Sequence, residues 1–503
     1  MLYLAAGALA LSPALRHAPD ELLAYGTPRA NVVTPGDHLQ TTYNLWLPGH
    51  QLAHGRAPWV DPYSFQPEAP KRTNFAGWPF AILFWPLHAL FGTVGAWNAF
   101  ALLSYVGAGA AAAAWLRSVR LPLGAALVGG LAFALAPYRS IQTAGGHLLG
   151  PVAMLLPLSL WALETRRRWL AVAAIASVPL SGQVHVALGA IPFFLAYAAV
   201  RRQTRAGVAG ALVSAAAGLL VWLAEIRGTT GASGRSFGQV ERYSAELLDF
   251  VTRHSRHGFE TFVFLGWLVP LAALAGLALV WRRDRGLAAV LGLGTLVPVV
   301  LALGANTPVY EPLWDVVPGL AHTRVPSRFL PIACLCLAAL AAFAVARVPW
   351  RYAALVAIPL VALDLRVDVY RPMRADEGNE AYAAIDGSGG LLELPVFRPE
   401  TQEGSVYLYY VMQAPRARPF GYSTTAPRNA NRLALRFRGL ECGRLADLQA
   451  TLRRLDVRYV ALHLARYRDR RSRCVDGARL TLSAEGFVPI AGDNEIEMLA
   501  TSP

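Results

Sequence analysis

The feature that most constrains this chain is a succession of apolar runs punctuated by arginines. Runs fall at about 1–15, 96–116, 121–137, 147–164, 169–181, 184–200, 206–224, 260–281, 287–303, 328–346 and 352–366. An α-helix rises 1.5 Å per residue, so about 20 apolar residues cross the ~30 Å hydrocarbon core of a bilayer. Only 16% of the residues are charged, against about 25% in a soluble domain. The expected fold class is therefore a mainly α, polytopic membrane protein. It has about eleven transmembrane helices, one interfacial helix and a small C-terminal extracytoplasmic α/β domain.

Arginines set the expected topology, because basic residues are retained on the cytoplasmic side. Arg117 and Arg120, the triplet Arg166 to Arg168, then Arg201, Arg202 and Arg205, then Arg282, Arg283 and Arg285, and finally Arg347 and Arg351 mark that side. The outer segments are then 16–95, 138–146, 225–259 and 304–327. The tip 179-PLSGQVH-185 of a helical hairpin joins them. Segment 76–94 carries Pro79, Pro86 and His88 with Trp78 and Trp85, which suits a helix on or dipping into the outer leaflet. The first run lacks a basic leader and reads as a retained helix. This places the N-terminus inside and the C-terminus outside the membrane. The net charge of +14 is accounted for by topology. No basic patch is interleaved with aromatics on a soluble domain, so nucleic acid is not an expected partner, whereas membrane lipid is.

Residues 1–369 form the expected transmembrane domain and 370–503 the extracytoplasmic one. In the latter, 391-LLELPVF-397, 405-SVYLYYVMQ-413 and 457-VRYVALHLA-465 read as strands, and 443-GRLADLQATLRRLDV-457 has helical spacing. Of four cysteines, Cys334 and Cys336 lie in an apolar run. Cys442 and Cys474 lie in the polar outer part, where an oxidising compartment allows a disulfide that spacing alone does not decide.

The outward segments carry polar and aromatic clusters, whereas the inward loops are short and arginine-only. Any site is thus expected on the outer face. The stretch 34-TPGDHLQTTYNLWLPGHQLAHGRAPWV-60 opens the first outer segment. Its Asp37 is either a general base with a pKa raised by a partly dry cleft, or a helix N-cap. His38 beside it is the more structural of the two. Glu68 and Asn74 suit a sugar or a cation. Tyr138, Arg139 and His147 flank the second outer loop. His185 lies at the hairpin tip with Gln183, and the long fourth loop carries Arg235, Glu241, Tyr243, His254 and His257. Arg324 and Arg328, in R-V-P-S-R, stand on a face where positive charge is disfavoured. A guanidinium fork there matches the phosphate of a lipid. No acidic pair has the spacing of a metal site; no cofactor is assigned, and a divalent cation is left open.

The order of 36-GDHLQTTYNLW-46, 54-HGRAPWVDPY-63, 92-GTVGAWN-98, 133-FALAPYRSIQTAGGH-147, 322-HTRVPSR-328, 420-FGYS-423 and 455-LDVRYVALH-463 resembles the GT-C class of membrane glycosyltransferases. That class includes the protein O-mannosyltransferases and the lipid A aminoarabinose transferases. The resemblance implies a polyprenyl-phosphate-linked sugar donor and an acceptor hydroxyl on a lipid, glycan or protein. Transfer would be inverting and would occur on the outer face. Asp37 matches the first-loop acid, the catalytic base. Arg324 and Arg328 would lie near the donor phosphate. Tyr138, Arg139 and His147 would line the site, with His38, Glu68, Asn74 and His185 as further substrate contacts. Glu68 is a rough match to a glutamate motif of the class, and His147 stands where other members carry a second acid. Two other classes fit the composition: a non-catalytic envelope protein that binds lipid-linked sugar, and a transporter or flippase for one. The latter requires ionisable groups at mid-membrane, for which Asp364 is the one residue to check.

Overall fold

The computed structural model describes residues 1–501 apart from 31, 71, 256–257, 350–351, 446 and 469–473; Arg351 and His257 thus lie outside the described residues. The apolar runs are helical. Among the described residues four helices are long and apolar enough to cross a bilayer: Ala81–Ser118, Thr204–Ile226, Arg285–Ala302 and Pro326–Val345. A fifth is reached if Leu123–Ala134 and Pro137–Ala144, bent by 44°, count as one span. Six more apolar helices have 10–17 residues. Eleven full crossings were expected; helix length among the described residues supports four or five. Pro326–Val345 is the hub, with 78% of its apolar window buried, whereas Thr204–Ile226 is peripheral at 33%. Peripheral helices expose Leu212, Leu271, Leu274, Leu355 and Leu363, an apolar belt that water would penalise and lipid would cover. The chain is a multi-pass integral membrane protein.

The helix Ala81–Ser118 breaks at Gly92, whose φ of 67° and ψ of −170° are not helical. The apolar segment 81–91 is thereby a separate helix, redirected from the long one behind it. Pro137 makes the other bend, because it supplies no N–H to the turn before it. Beside it, the Ala134 carbonyl is met by Arg139. The arginine is fully buried, donates from Nε and Nη2 to Ala134 O at 3.0 and 2.7 Å, and lies over the Tyr105 ring at 4.4 Å.

Strands β1 (Glu21–Ala24) and β2 (Arg371–Arg374) pair antiparallel, tying the first outer segment to the chain that follows the last apolar helix. Beyond it, β3 (Gly390–Leu394), β4 (Val457–His463), β5 (Phe487–Gly492) and β6 (Ile496–Thr501) form one sheet in the order β3-β4-β6-β5, with only β3 and β4 parallel. Helices pack on this sheet, and Cys442 is bonded to Cys474. One expected strand is a helix: Ser405–Val411 is α-helical and buried along its whole length. Its aromatic residues favour strands only where a partner strand exists. Here none adjoins it, and the helix satisfies its own backbone. Asp364 lies near the end of the last apolar helix and accepts the backbone N–H groups of Trp267, Leu268 and Val269 at 2.8–3.2 Å. It caps the neighbouring helix Leu268–Trp281.

Candidate functional site

Asp37 is the first residue of the helix Asp37–Ala53, and its carboxylate caps none of that helix's N–H groups. It turns instead into a cavity of about 620 Å³. Its Oδ2 lies 3.0 Å from His147 Nε2, and its Oδ1 accepts the hydroxyl of Tyr422. His147 Nδ1 is held at 2.7 Å by Gln142 Oε1. The bend stabilised by Arg139 therefore aims Gln142 and His147 at the acid. Gly146 permits the approach: with φ +82°, a Cβ there would lie 2.1 Å from the backbone nitrogen of His38. Thr41 Oγ1 closes the contact by donating to Gly146 O.

Burial alone would raise the Asp37 pKa, as expected of a dry cleft. The bonds from His147 and Tyr422 and the charges of His147 and Arg324 outweigh it, holding the carboxyl down at about 2. The expected rise is thus reversed, and the group is ionised at rest. Tyr422 is displaced upward, by burial first and then by the neighbouring carboxylate.

On the arginine wall, Arg328 Nη2 lies 3.0 Å and Arg324 Nη2 3.8 Å from Glu260 Oε1. Glu260 is buried, which alone would raise its pKa; Arg328 and then His147 and Arg324 pull it below its usual value. Arg324 also stands over the Tyr243 ring at 5.7 Å. Neither Arg324 nor Arg235, which also lines the cavity, spends a guanidinium hydrogen bond on the described residues. The wall therefore presents open donors and net positive charge.

Asp37, Glu68, Asn74, His147, His185, Arg324 and Arg328 all line this one cavity. Three further sequence candidates do not. His38 is buried against Trp97, and burial lowers its pKa to about 4. Tyr138 is buried with its hydroxyl 3.3 Å from Ser327 Oγ, and Arg139 serves the helix bend. Each outer segment expected from the arginine pattern contributes lining residues, and none of the arginines expected on the cytoplasmic side does. Tyr422, Glu260 and Glu225 were missed. Tyr422 lay in the quoted FGYS motif, which was a findable signal, whereas lone glutamates beside apolar runs carry none. Among the described residues no group of three or more His, Cys, Asp or Glu is placed to hold a metal. His147 is the one metal-ligating side chain in direct contact with the Asp37 carboxylate among the described residues.

No protein-family model and no curated protein matches the chain. Among solved structures, it is similar to the arabinofuranosyltransferase AftD from Mycobacteria, with a TM-score of 0.56 and 17% identity over 100% of this chain. It spans 40% of the length of that protein. ArnT from Cupriavidus metallidurans aligns at a TM-score of 0.48 and 14% identity, over 99% of this chain and 98% of that one. The archaeal oligosaccharyltransferase AglB from Archaeoglobus fulgidus aligns at 0.48 and 11%, over 100% and 74%. The fold assignment rests on the first. In fold, the chain is a GT-C-like multi-pass membrane protein, similar along its whole length to part of a membrane arabinofuranosyltransferase.

Proposed function

We propose that the protein is a membrane glycosyltransferase that moves a sugar from a polyprenyl-phosphate donor to an acceptor hydroxyl, on the outer face of a bacterial cytoplasmic membrane. The observation that carries this reading is one cavity holding an ionised, oriented carboxylate and a wall of unspent guanidinium donors. The GT-C-like fold supports it.

In this reading the donor phosphate lies against Arg324 and Arg235, with Arg328 held beside them by Glu260. The acceptor hydroxyl takes the place of the Tyr422 phenol on Asp37 Oδ1. That exchange replaces the phenol's bond with one from the alcohol to be deprotonated, which sets the carboxylate on the reacting proton. The hydroxyl oxygen attacks the anomeric carbon as its proton passes to Asp37. The bond from that carbon to the phosphate oxygen breaks, and polyprenyl phosphate leaves with its negative charge met by the arginines. Attack opposite the leaving group inverts the anomeric centre.

The test is lipid retention. Mass spectrometry of the purified protein is expected to find polyprenyl phosphate or its sugar adduct, which would also identify the sugar. Arg324→Ala combined with Arg235→Ala is expected to lose it. Bulk phospholipid alone in both proteins would overturn the donor assignment and favour a non-catalytic envelope role.

A further inference from the structure

The cavity has a second end, built from the first outer segment and the end of the Thr204–Val221 helix. That helix finishes in a π-turn, Trp222–Ile226, and the turn carries Glu225 onto the cavity lining. Such turns are rare and concentrate at functional sites. One Glu225 oxygen, Oε1, accepts the backbone N–H of Phe75. The other has no hydrogen-bond donor among the described residues. Beside it Asn74 Nδ2 donates to Asn44 Oδ1 at 2.9 Å, and both amides line the cavity. Next to Asn74, Trp59 is 49% exposed, accepts the Asn74 N–H through its carbonyl and lies 6.3 Å from the Phe75 ring.

The chemistry of this end selects its ligand. A fixed carboxylate oxygen with nothing to accept from, next to two amides, asks for closely spaced O–H donors. An exposed indole offers an apolar face for C–H groups. A peptide strand would instead use free backbone groups, but the N–H groups of Asn74, Phe75 and Ala76 are already spent on Trp59 O, Glu225 and Asn74 Oδ1. An acyl chain could cover Ala76, Val221 and Ala224 but would leave the open Glu225 oxygen without a donor. Hydroxyls around an apolar ring face describe a carbohydrate.

We propose that Glu225, with Asn44 and Asn74, is the acceptor subsite and that the acceptor is a carbohydrate. Glu225 Oε2 accepts from a hydroxyl of the acceptor sugar. The assignment rests on the transferase reading of the cavity, and its test separates the two. Full-length protein in lipid nanodiscs is examined by saturation-transfer NMR with di- to tetrasaccharides of pentoses and hexoses, and with serine- and threonine-containing pentapeptides. Polyprenyl-phosphate binding is measured separately by native mass spectrometry. At least one oligosaccharide is expected to bind. Glu225→Ala should weaken it about threefold to tenfold, as loss of a hydrogen-bond acceptor does. Glu225→Gln, which keeps an oxygen for Phe75, should weaken it less, and both variants should retain polyprenyl phosphate. If Glu225→Ala fails to fold, Glu225→Gln and Asn74→Ala carry the comparison. Polyprenyl phosphate bound with no oligosaccharide, peptide bound in its place, or sugar binding untouched by these variants would overturn the subsite. Sugar bound without any polyprenyl phosphate would overturn the donor reading and leave the subsite standing.

Discussion

At the scale of single residues, the site is a contest over one carboxylate. Asp37→Asn keeps the size of the side chain but cannot accept the proton; transfer is expected to fall by about 10²–10⁴-fold in a purified assay, and full retention would remove Asp37 as the base. The groups that face Asp37 are His147, Tyr422 and Arg324, which lower its pKa, with Glu260 and His38 close by. Tyr422→Phe deletes one lowering contact, so the pKa of Asp37 must rise. The acid limb of kcat/KM is then expected to move to higher pH, and an unmoved limb would show that Tyr422 does not act through the carboxylate. The sign for stability follows the same shift. A carboxyl held at about 2 contributes stability above its ordinary value near ~4, and that contribution disappears as pH falls toward 2. The two arginines differ despite sharing Glu260. Arg328, 17% exposed, holds a buried partner, so Arg328→Ala should cost about 3–5 kcal/mol. Arg324 is farther from Glu260 and more exposed, so Arg324→Ala should affect donor binding more than thermal unfolding.

At the scale of elements, the sequence was most legible where periodicity and composition act locally. Apolar runs became helices because the residues of each run suffice to make one. Cys442 and Cys474 could be matched by compartment but not by spacing; the fold places their Cα atoms 4.2 Å apart across 32 positions of sequence. Replacing either by Ser is expected to destabilise the small sheet domain by about 2–5 kcal/mol. A chemical denaturation curve with and without reductant would measure it, and no difference would mean the bond is dispensable. The misread segment 405–413 shows the limit: strand propensity lost to a site with no strand to pair with. Its burial is functional as well, since Ser405 Oγ accepts the N–H of Gly36 at 3.0 Å, directly before Asp37.

At the scale of the whole molecule, the C-terminal domain is part of the site. Residues 418–426 cross the first outer segment and the 229–230 loop, with Arg418 N donating to Tyr63 O at 2.7 Å and Thr230 N to Ala426 O at 2.9 Å. Tyr422 sits between these two anchors. The topology expected from the arginines is checked by thiol labelling. Glu311→Cys should react with an impermeant reagent from the outside and Arg283→Cys only after permeabilisation. Native Cys334 and Cys336 are buried and the other two are paired, so the background is low. Labelling of both from the same side would overturn the arrangement.

The sequence by itself determined the membrane class, the helices, the sidedness expected of the loops and the candidates Asp37, Arg324 and Arg328, because apolar run length and arginine placement are local properties of the chain. Only the tertiary structure decided which of those residues share a cavity. Tyr422 meets Asp37 across 385 positions, Arg328 meets Glu260 across 68, and Glu225 meets the backbone of Phe75 across 150. Nothing in the immediate neighbourhood of a lone acid in an apolar stretch reveals such a partner. A buried charge is defined by what surrounds it in space, and that is settled only when the helices pack.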